Sequence, residues 1–446
     1  MSDTSRFGLR GFLIDAPEFG ALRAWPNGAV VVENGRISDV GDFDDIRRRH
    51  QPNSIQWIER RSVAIFPGLI DCHTHLPQYS AVARGESELL PWLRQHVFPV
   101  EREFTGPKAR IEAPQFFHEL ARSGTTTVMA YAAIYEDSCD VGFEAARKSG
   151  VRTILGKMMM DIGSYGQLQP KKVLSISLLE SERLCRKWHG AENGLLEYAF
   201  SPRFAVTCSE KMMRGAAELA ARFGAYLQTH LAENREELEK VHHLHMSARD
   251  YTQVYEKCGM LTSRTVFGHC IHLNPREVAT IAAAQSSVAH CPTSNLFLGS
   301  GLMKLDQLLK AGINIGLGSD VAAGPELNMW QVMRAAIEVQ KARTAYEPNL
   351  RPLRPSEAFY LATHGGARAL GKAKSIGTIE PGKEADLIVV DVGGLMPYQN
   401  HNGLSKLVPD DVVALCVYRG GPKANLETYV RGRCIYRAPQ TTTVPQ

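Results

Sequence analysis

Short, mostly apolar runs alternate with longer amphipathic stretches through the middle of the chain. Thr125–Ala130, Val151–Leu155, Glu197–Phe200, Ala225–Thr229, Thr265–Gly268, Ser287–Ala289 and Ile313–Leu317 are too short for helices and are predicted as buried strands. An eighth strand opens the series in the run Val63–Ile70, broken only by Phe66-Pro67-Gly68. Between the strands, Leu89–Phe104, Val141–Ser149, Leu174–Trp188, Glu210–Arg222 and Pro275–Ala284 read as helices, with Gly150 and Gly224 as stops. Strand–helix alternation predicts a parallel sheet, and eight repeats predict a closed (β/α)8 barrel.

The two ends follow another pattern. Ala29–Val32 and Arg36–Gly41 flank Asn34-Gly35, a hairpin signal. Past the barrel, Ser356–Leu370 reads as a helix. The turn Glu380-Pro381-Gly382 then leads into the strand ending at Val390, and Val412–Tyr418 and Thr428–Tyr436 are expected as further strands. The simplest arrangement is one small β-sandwich domain built from residues 1–65 and 373–446, around a barrel of residues 66–372. Thr441–Gln446 is expected to fray.

Composition narrows the function. With 446 residues, 44% hydrophobic and 22% charged, the chain is an ordinary globular protein with material for a large core. A net charge of +4 is small, and the one dense basic run, Arg47-Arg48-Arg49, follows Asp44-Asp45, so nucleic-acid binding is not expected. No apolar stretch is long enough to span a membrane, and Met1–Arg6 shows no signal-peptide core, so a cytoplasmic protein is expected. Nine scattered cysteines without a Cys-x-x-Cys pair point to reduced thiols. Cys72, Cys270 and Cys291, each beside a histidine, are read as small buried residues.

The chemistry lies at the predicted strand ends. His73 and His75 are two apart after a buried run, so on a strand their imidazoles reach one point. Arg203, His230, His269, His290 and Asp320 end other strands, and in such barrels the strand C-termini carry the site. His73, His75, His230 and His269 offer nitrogen and Asp320 offers oxygen, a donor set without thiolate that suits zinc and also iron(II). Asp320 can serve both as ligand and as base toward a metal-activated water. Glu233, three residues after His230, is placed to carry a proton to a leaving nitrogen.

With these residues in view the chain resembles the amidohydrolase superfamily over nearly its whole length. The landmarks are Pro67–His75, Thr229–Glu233, Gly268-His269, His290–Asn295, Gly318-Ser319-Asp320 and Gly377–Leu387. Within that superfamily it is most similar to the guanine deaminases, through Gln78-Tyr79-Ser80, Trp92 with Phe98–Glu101, Ser201–Phe204 and Gly156–Asp161. The resemblance implies one metal on His73, His75, His230 and Asp320, with His269 a ligand or a partner of the water, and Glu233 as proton shuttle. It implies purine contacts from Gln78, Arg203 and Phe204, and a homodimer acting in purine breakdown. Trp92 could cover a face of the ring or fill the core of its loop helix. Arg203 could read a carbonyl or pair with a barrel carboxylate. Lys157 is where a modified lysine would bridge two metals, but the His-x-x-Glu of His230 and Glu233 fits the one-metal deaminases, so Lys157 is read as structural. The implied reaction is guanine plus water to xanthine and ammonia. A related pterin, such as isoxanthopterin, or 8-oxoguanine is the alternative substrate. A catalytically silent scaffold is disfavoured because every ligand residue and Glu233 are present.

Overall fold

The computed structural model describes residues 6–51, 53–85, 88–163, 170–397 and 407–439; the terminal segment 441–446 lies outside them. Eight parallel strands form the barrel: β5 (Leu69–His75), β6 (Thr125–Tyr131), β7 (Arg152–Gly156), β9 (Leu196–Pro202), β10 (Tyr226–Leu231), β11 (Thr265–His269), β12 (Ser287–His290) and β13 (Ile315–Leu317). They pair in chain order, with a short β8 (Met158–Met159) added beside β9. The parallel register sets His230 opposite Gly268 and His290 opposite Leu317. The circle is joined between its last and first strands where the Asp320 amide donates to the His73 carbonyl at 2.8 Å. Every residue of β5 is buried, as a strand covered on both faces must be.

The two chain ends share one hydrogen-bonded sheet of seven strands, which curls on itself to form the small β domain. They are β1 (Arg6–Glu18), β2 (Ala21–Glu33), β3 (Arg36–Asp42), β4 (Gln56–Pro67), β14 (Leu387–Asp391), β15 (Asn425–Val430) and β16 (Arg433–Arg437). Alternation along the strands gives this sheet two buried faces. Phe7, Leu9, Val30, Val32, Ile65, Leu387 and Tyr429 form a core of its own. Ile14, Ala64, Phe66, Ile388 and Val390 point the other way and join the main core with the barrel helices. The sheet curls far enough for Ile37 on the edge strand to exchange hydrogen bonds of 2.8 Å with Lys383 and Gly382. Asn34 and Gly35 turn the β2–β3 hairpin with φ of 50° and 77°.

Several elements depart from the sequence reading. The run Val63–Ile70 is two strands in two sheets: β4 ends at Pro67 and β5 begins at Leu69. Gly68 makes the transfer, because a Cβ there would lie 2.1 Å from Thr126 Oγ1. Val412–Tyr418 is not a strand but part of the helix Pro409–Arg419. Pro409 and the acidic pair Asp410-Asp411 start it, and Val412, Val413, Cys416 and Val417 share one buried helical face. Thr428–Tyr436 is a hairpin of β15 and β16 turned at Arg431-Gly432. The helix expected over 356–370 breaks at Thr363, whose hydroxyl donates to the Phe359 carbonyl at 2.7 Å. Leu89–Phe104 is helical, with a single wide turn at Leu93–Val97 between two α-helical pieces. No described helix is long and apolar enough to cross a membrane.

Candidate active site

The C-terminal ends of the barrel strands bring His73, His230, His269 and Asp320 to one point, with His75 beside them. His73 and His75 leave the end of β5, His230 lies near the end of β10, His269 ends β11, and Asp320 sits in the loop after β13. One ligand atom each from His73, His230, His269 and Asp320 lies within 4.8 Å of all the others. Asp320 Oδ1 is 3.3 Å from His73 Nε2 and 3.2 Å from His75 Nε2, and its Oδ2 is 3.6 Å from His269 Nε2. His75 Nε2 also lies 3.2 Å from His230 Nε2.

Glycines make this crowding feasible. A Cβ on Gly268 would lie 2.7 Å from the His73 ring, and one on Gly318 would lie 2.7 Å from His73 Cβ. His269 and Asp320 both adopt left-handed backbone, with φ of 67° and 48°, and so does Ala232 at 52°. Each such residue costs about 1–3 kcal/mol and persists only where its surroundings hold it. Asp71 supplies part of that hold. Its carboxylate accepts from the Ser319 amide at 3.0 Å, the Ser319 hydroxyl at 2.5 Å and the His73 amide at 3.2 Å. Burial pushes Asp71 up to about 6 in spite of these bonds.

The donor set fits a divalent metal. His230 Nδ1 donates to the Arg203 carbonyl at 2.7 Å, which leaves Nε2 as a bare lone pair facing the other ligands. His269 Nδ1 is 2.9 Å from Asn295 Oδ1, so its Nε2 is likewise directed inward. The Nε2 atoms of His73 and His269 are buried without a hydrogen-bond partner, the condition of nitrogens shaped for coordination. Burial, then the neighbouring imidazoles His73, His75 and His269, hold His230 far below the usual histidine range, and burial takes His75 down to about 4. Burial works against charge on Asp320, but the imidazoles of His73, His75 and His269 outweigh it and keep the carboxyl well below its ordinary value.

Above this cluster opens a cavity. Its lining includes Gln78, Trp92, Arg203, Phe204 and Glu233, together with His75, His230 and Asp320. Burial, then the carboxylates of Asp320 and Glu237, raise Glu233 well above an ordinary glutamate. Its Oε2 lies 3.4 Å from His269 Nε2 and its Oε1 accepts from Ser300 Oγ at 3.3 Å. Arg203 Nη1 donates to Glu101 Oε2 at 2.6 Å, so the arginine both lines the cavity and pairs with a carboxylate. Gln78 Nε2 donates to Glu101 Oε1 at 2.8 Å, and its own carbonyl accepts from the Ala322 amide at 3.2 Å. Trp92 lines the cavity with its indole N–H held on the Arg84 carbonyl at 2.8 Å, so it is at once wall and loop core.

Other predicted residues fall elsewhere. His290 is buried with both ring nitrogens unpartnered and does not join the converging group. Lys157 donates to Ile134 O, Ser177 Oγ and Glu180 at 3.0–3.1 Å, away from the cluster. All nine cysteines are free, and burial raises the thiols of Cys72, Cys270 and Cys291. Leu89, Leu93 and Leu298 also line the cavity, and Glu101 bonds to Gln78 and Arg203; sequence reasoning gave none of them a role. Glu101 was visible only as one letter of Phe98–Glu101, without a partner to give it meaning.

Comparison with known proteins places this geometry. Residues 64–422 match the amidohydrolase family, and residues 28–50 match a bacterial imidazolonepropionase-like composite domain. The chain is 36% identical over 430 residues to guanine deaminase of Escherichia coli K12, covering 95% of this chain and 94% of that one. The solved structure of the E. coli enzyme superposes with a TM-score of 0.88 at 33% identity, over 98% of this chain and 100% of that one. Guanine deaminase from C. acetobutylicum, solved with guanine bound in its active site, gives 0.88 at 29% identity, over 97% and 100% of the two chains. An adenosine deaminase from Xanthomonas campestris with bound zinc gives 0.81 at 25% identity, over 96% and 92%.

Proposed function

The chain belongs to the amidohydrolase family, and we propose from that premise that it deaminates guanine hydrolytically, giving xanthine and ammonia. The observation that carries the reading is the cavity with the histidine–aspartate cluster at its base and Gln78, Arg203 and Phe204 in its walls. A flat purine needs such a slot, with polar groups at the ring edge and apolar groups over its faces. The likeness to guanine deaminases over almost the full chain supports the same substrate.

His73, His75, His230 and Asp320 would hold one metal, with His269 as a further ligand or as partner of the water. Bound there, the metal would polarise a water molecule and ease loss of its proton. Nitrogen and oxygen donors without thiolate, and the zinc-bound relative, support zinc, with iron(II) as the alternative. The chain's own residues then divide the work. Asp320, kept ionised by its imidazole neighbours, accepts the proton of the attacking water. Glu233, whose protonated form is favoured by burial, faces the cavity and gives a proton to the departing amine, so that ammonia leaves C2. Arg203 donates to the C6 carbonyl, Gln78 reads the ring edge, and Phe204 and Trp92 cover the faces.

Ammonia release from a panel of aminopurines and pterins tests the reading. Guanine should be turned over rapidly. Adenine and cytosine should be worse by up to about 10⁴-fold, because they leave a buried donor unpaired. Arg203→Met should lose most guanine activity while keeping its metal. Rapid turnover of adenine by the wild type would overturn the assignment, and faster turnover of a pterin would replace the substrate.

A further inference from the structure

Both side chains assigned above to the purine edge converge on a third group. Glu101 is fully buried, and its two carboxylate oxygens are divided between them: Oε1 accepts from Gln78 Nε2 at 2.8 Å and Oε2 from Arg203 Nη1 at 2.6 Å. The three come from separate parts of the chain. Gln78 lies in the short helix Leu76–Ala81 after β5, Glu101 in the helix Phe98–Glu103, and Arg203 directly after β9. The same helix brings Phe98, over whose ring the Arg203 guanidinium sits at 5.0 Å. Because Ala322 N–H occupies the Gln78 carbonyl at 3.2 Å, the bond to Glu101 also fixes which way the Gln78 amide faces.

We propose, on the basis of the deaminase reading above, that Glu101 is a positioning residue that locks Gln78 and Arg203 in one arrangement and offsets the arginine charge, so that the pocket selects an uncharged purine over its anion. A cation in a small, dry cavity attracts an anion strongly unless it is already paired. Guanine is neutral at neutral pH. Xanthine, with a second carbonyl in place of the amine, is the more acidic ring and loses a proton closer to neutrality. A paired Arg203 can donate to the neutral carbonyl of the substrate without holding the ionised product, and product release follows from the same balance.

The test uses metal-loaded enzyme, with guanine as substrate and xanthine as inhibitor, at pH values on either side of xanthine ionisation. Glu233, His75 and Tyr131 also feel Arg203, and Asp320 lines the same cavity, so each variant is compared with wild type at the same pH. Wild type should be inhibited more weakly as xanthine ionises. Glu101→Gln should raise KM for guanine about tenfold or more while changing kcat less than about threefold, the signature of lost binding geometry. It should also reverse the xanthine trend, so that the anion becomes the tighter inhibitor. Glu101→Asp, which keeps the charge but withdraws it, should raise KM and leave the trend as in wild type. Should Glu101→Gln fail to fold, the wild-type and Glu101→Asp profiles decide the matter. The inference is overturned if wild type is inhibited more strongly by ionised xanthine, or if folded Glu101→Gln keeps the wild-type KM and trend. Absence of ammonia release from guanine by wild type sinks the deaminase reading itself, which is a different result.

Discussion

Glu233 shows what a single residue owes to its surroundings. In sequence it heads a charged run, Glu233-Asn234-Arg235-Glu236-Glu237, of the kind usually found in solvent. In the fold it is buried, and lies within reach of His269 and Ser300 at the floor of the cavity. Burial and the nearby carboxylates favour its protonated form, which suits a group that must hand a proton to nitrogen. Glu233→Gln keeps the shape and removes the transferable proton. Turnover of guanine should fall by roughly 10²-fold or more, with about one divalent metal per chain retained by elemental analysis. Near-wild-type turnover in a metal-loaded variant would move the shuttle elsewhere.

The element that aims Glu233 is the helix Arg235–Leu244 and the turn before it. Asn234 caps the helix, and Glu237 completes the capping box. One oxygen of Glu237 accepts from the amides of Glu233 at 2.8 Å and Asn234 at 3.1 Å, and the other accepts from the Tyr251 hydroxyl at 2.7 Å. With Ala232 in left-handed backbone just ahead, the turn depends on these bonds for its shape. Glu237→Ala strands three donors. It should cost about 1–3 kcal/mol in chemical denaturation, and lower kcat by about 10-fold to 100-fold with little change in KM, as expected when a reacting group is displaced without loss of substrate contacts. An unchanged kcat alongside the lost stability would restrict Glu237 to capping the helix.

Across the whole molecule, the barrel and the sheet made by the chain ends are joined by a buried charge network. Arg152, at the start of β7, pairs with Glu384 and with Asp386 Oδ2 at 3.0 Å, both just ahead of β14. Arg431, in the β15–β16 turn, adds a bond to Glu384 at 2.9 Å, and its amide donates to Asp386 Oδ1 at 2.9 Å. Arg152→Met leaves buried carboxylates short of their cation and should lower stability by about 3–5 kcal/mol, read as the denaturant midpoint. Burial opposes charge on Glu384, but Arg152 and Arg431 outweigh it and hold its carboxyl below its ordinary value. Its stabilising contribution is therefore present above the unfolded value of 4.5 and is lost as pH falls through the lower folded value. The gap between variant and wild type should narrow in that acidic window. A gap that widens in acid would assign the coupling to other groups.

Much of the barrel could be read from the chain because its strands are short, apolar and separated by helical periodicity, and that information is local. Local too are the positions of His73, His75, Arg203, His230, His269 and Asp320, since each lies within a few residues of the end of a short apolar run. Where periodicity was ambiguous, tertiary structure decided. Val412–Tyr418 is as apolar as a strand, yet Pro409 and the packing of one face make it a helix. The run Val63–Ile70 carries no mark of belonging to two sheets until Gly68 is seen against Thr126. The seven-stranded sheet unites segments more than 300 residues apart, as in the β14–β4 register of Ile388 with Phe66, and no local pattern encodes that pairing. The same holds for Glu101. A carboxylate in sequence has no direction, and only the barrel, by closing, sets Gln78 and Arg203 against its two oxygens.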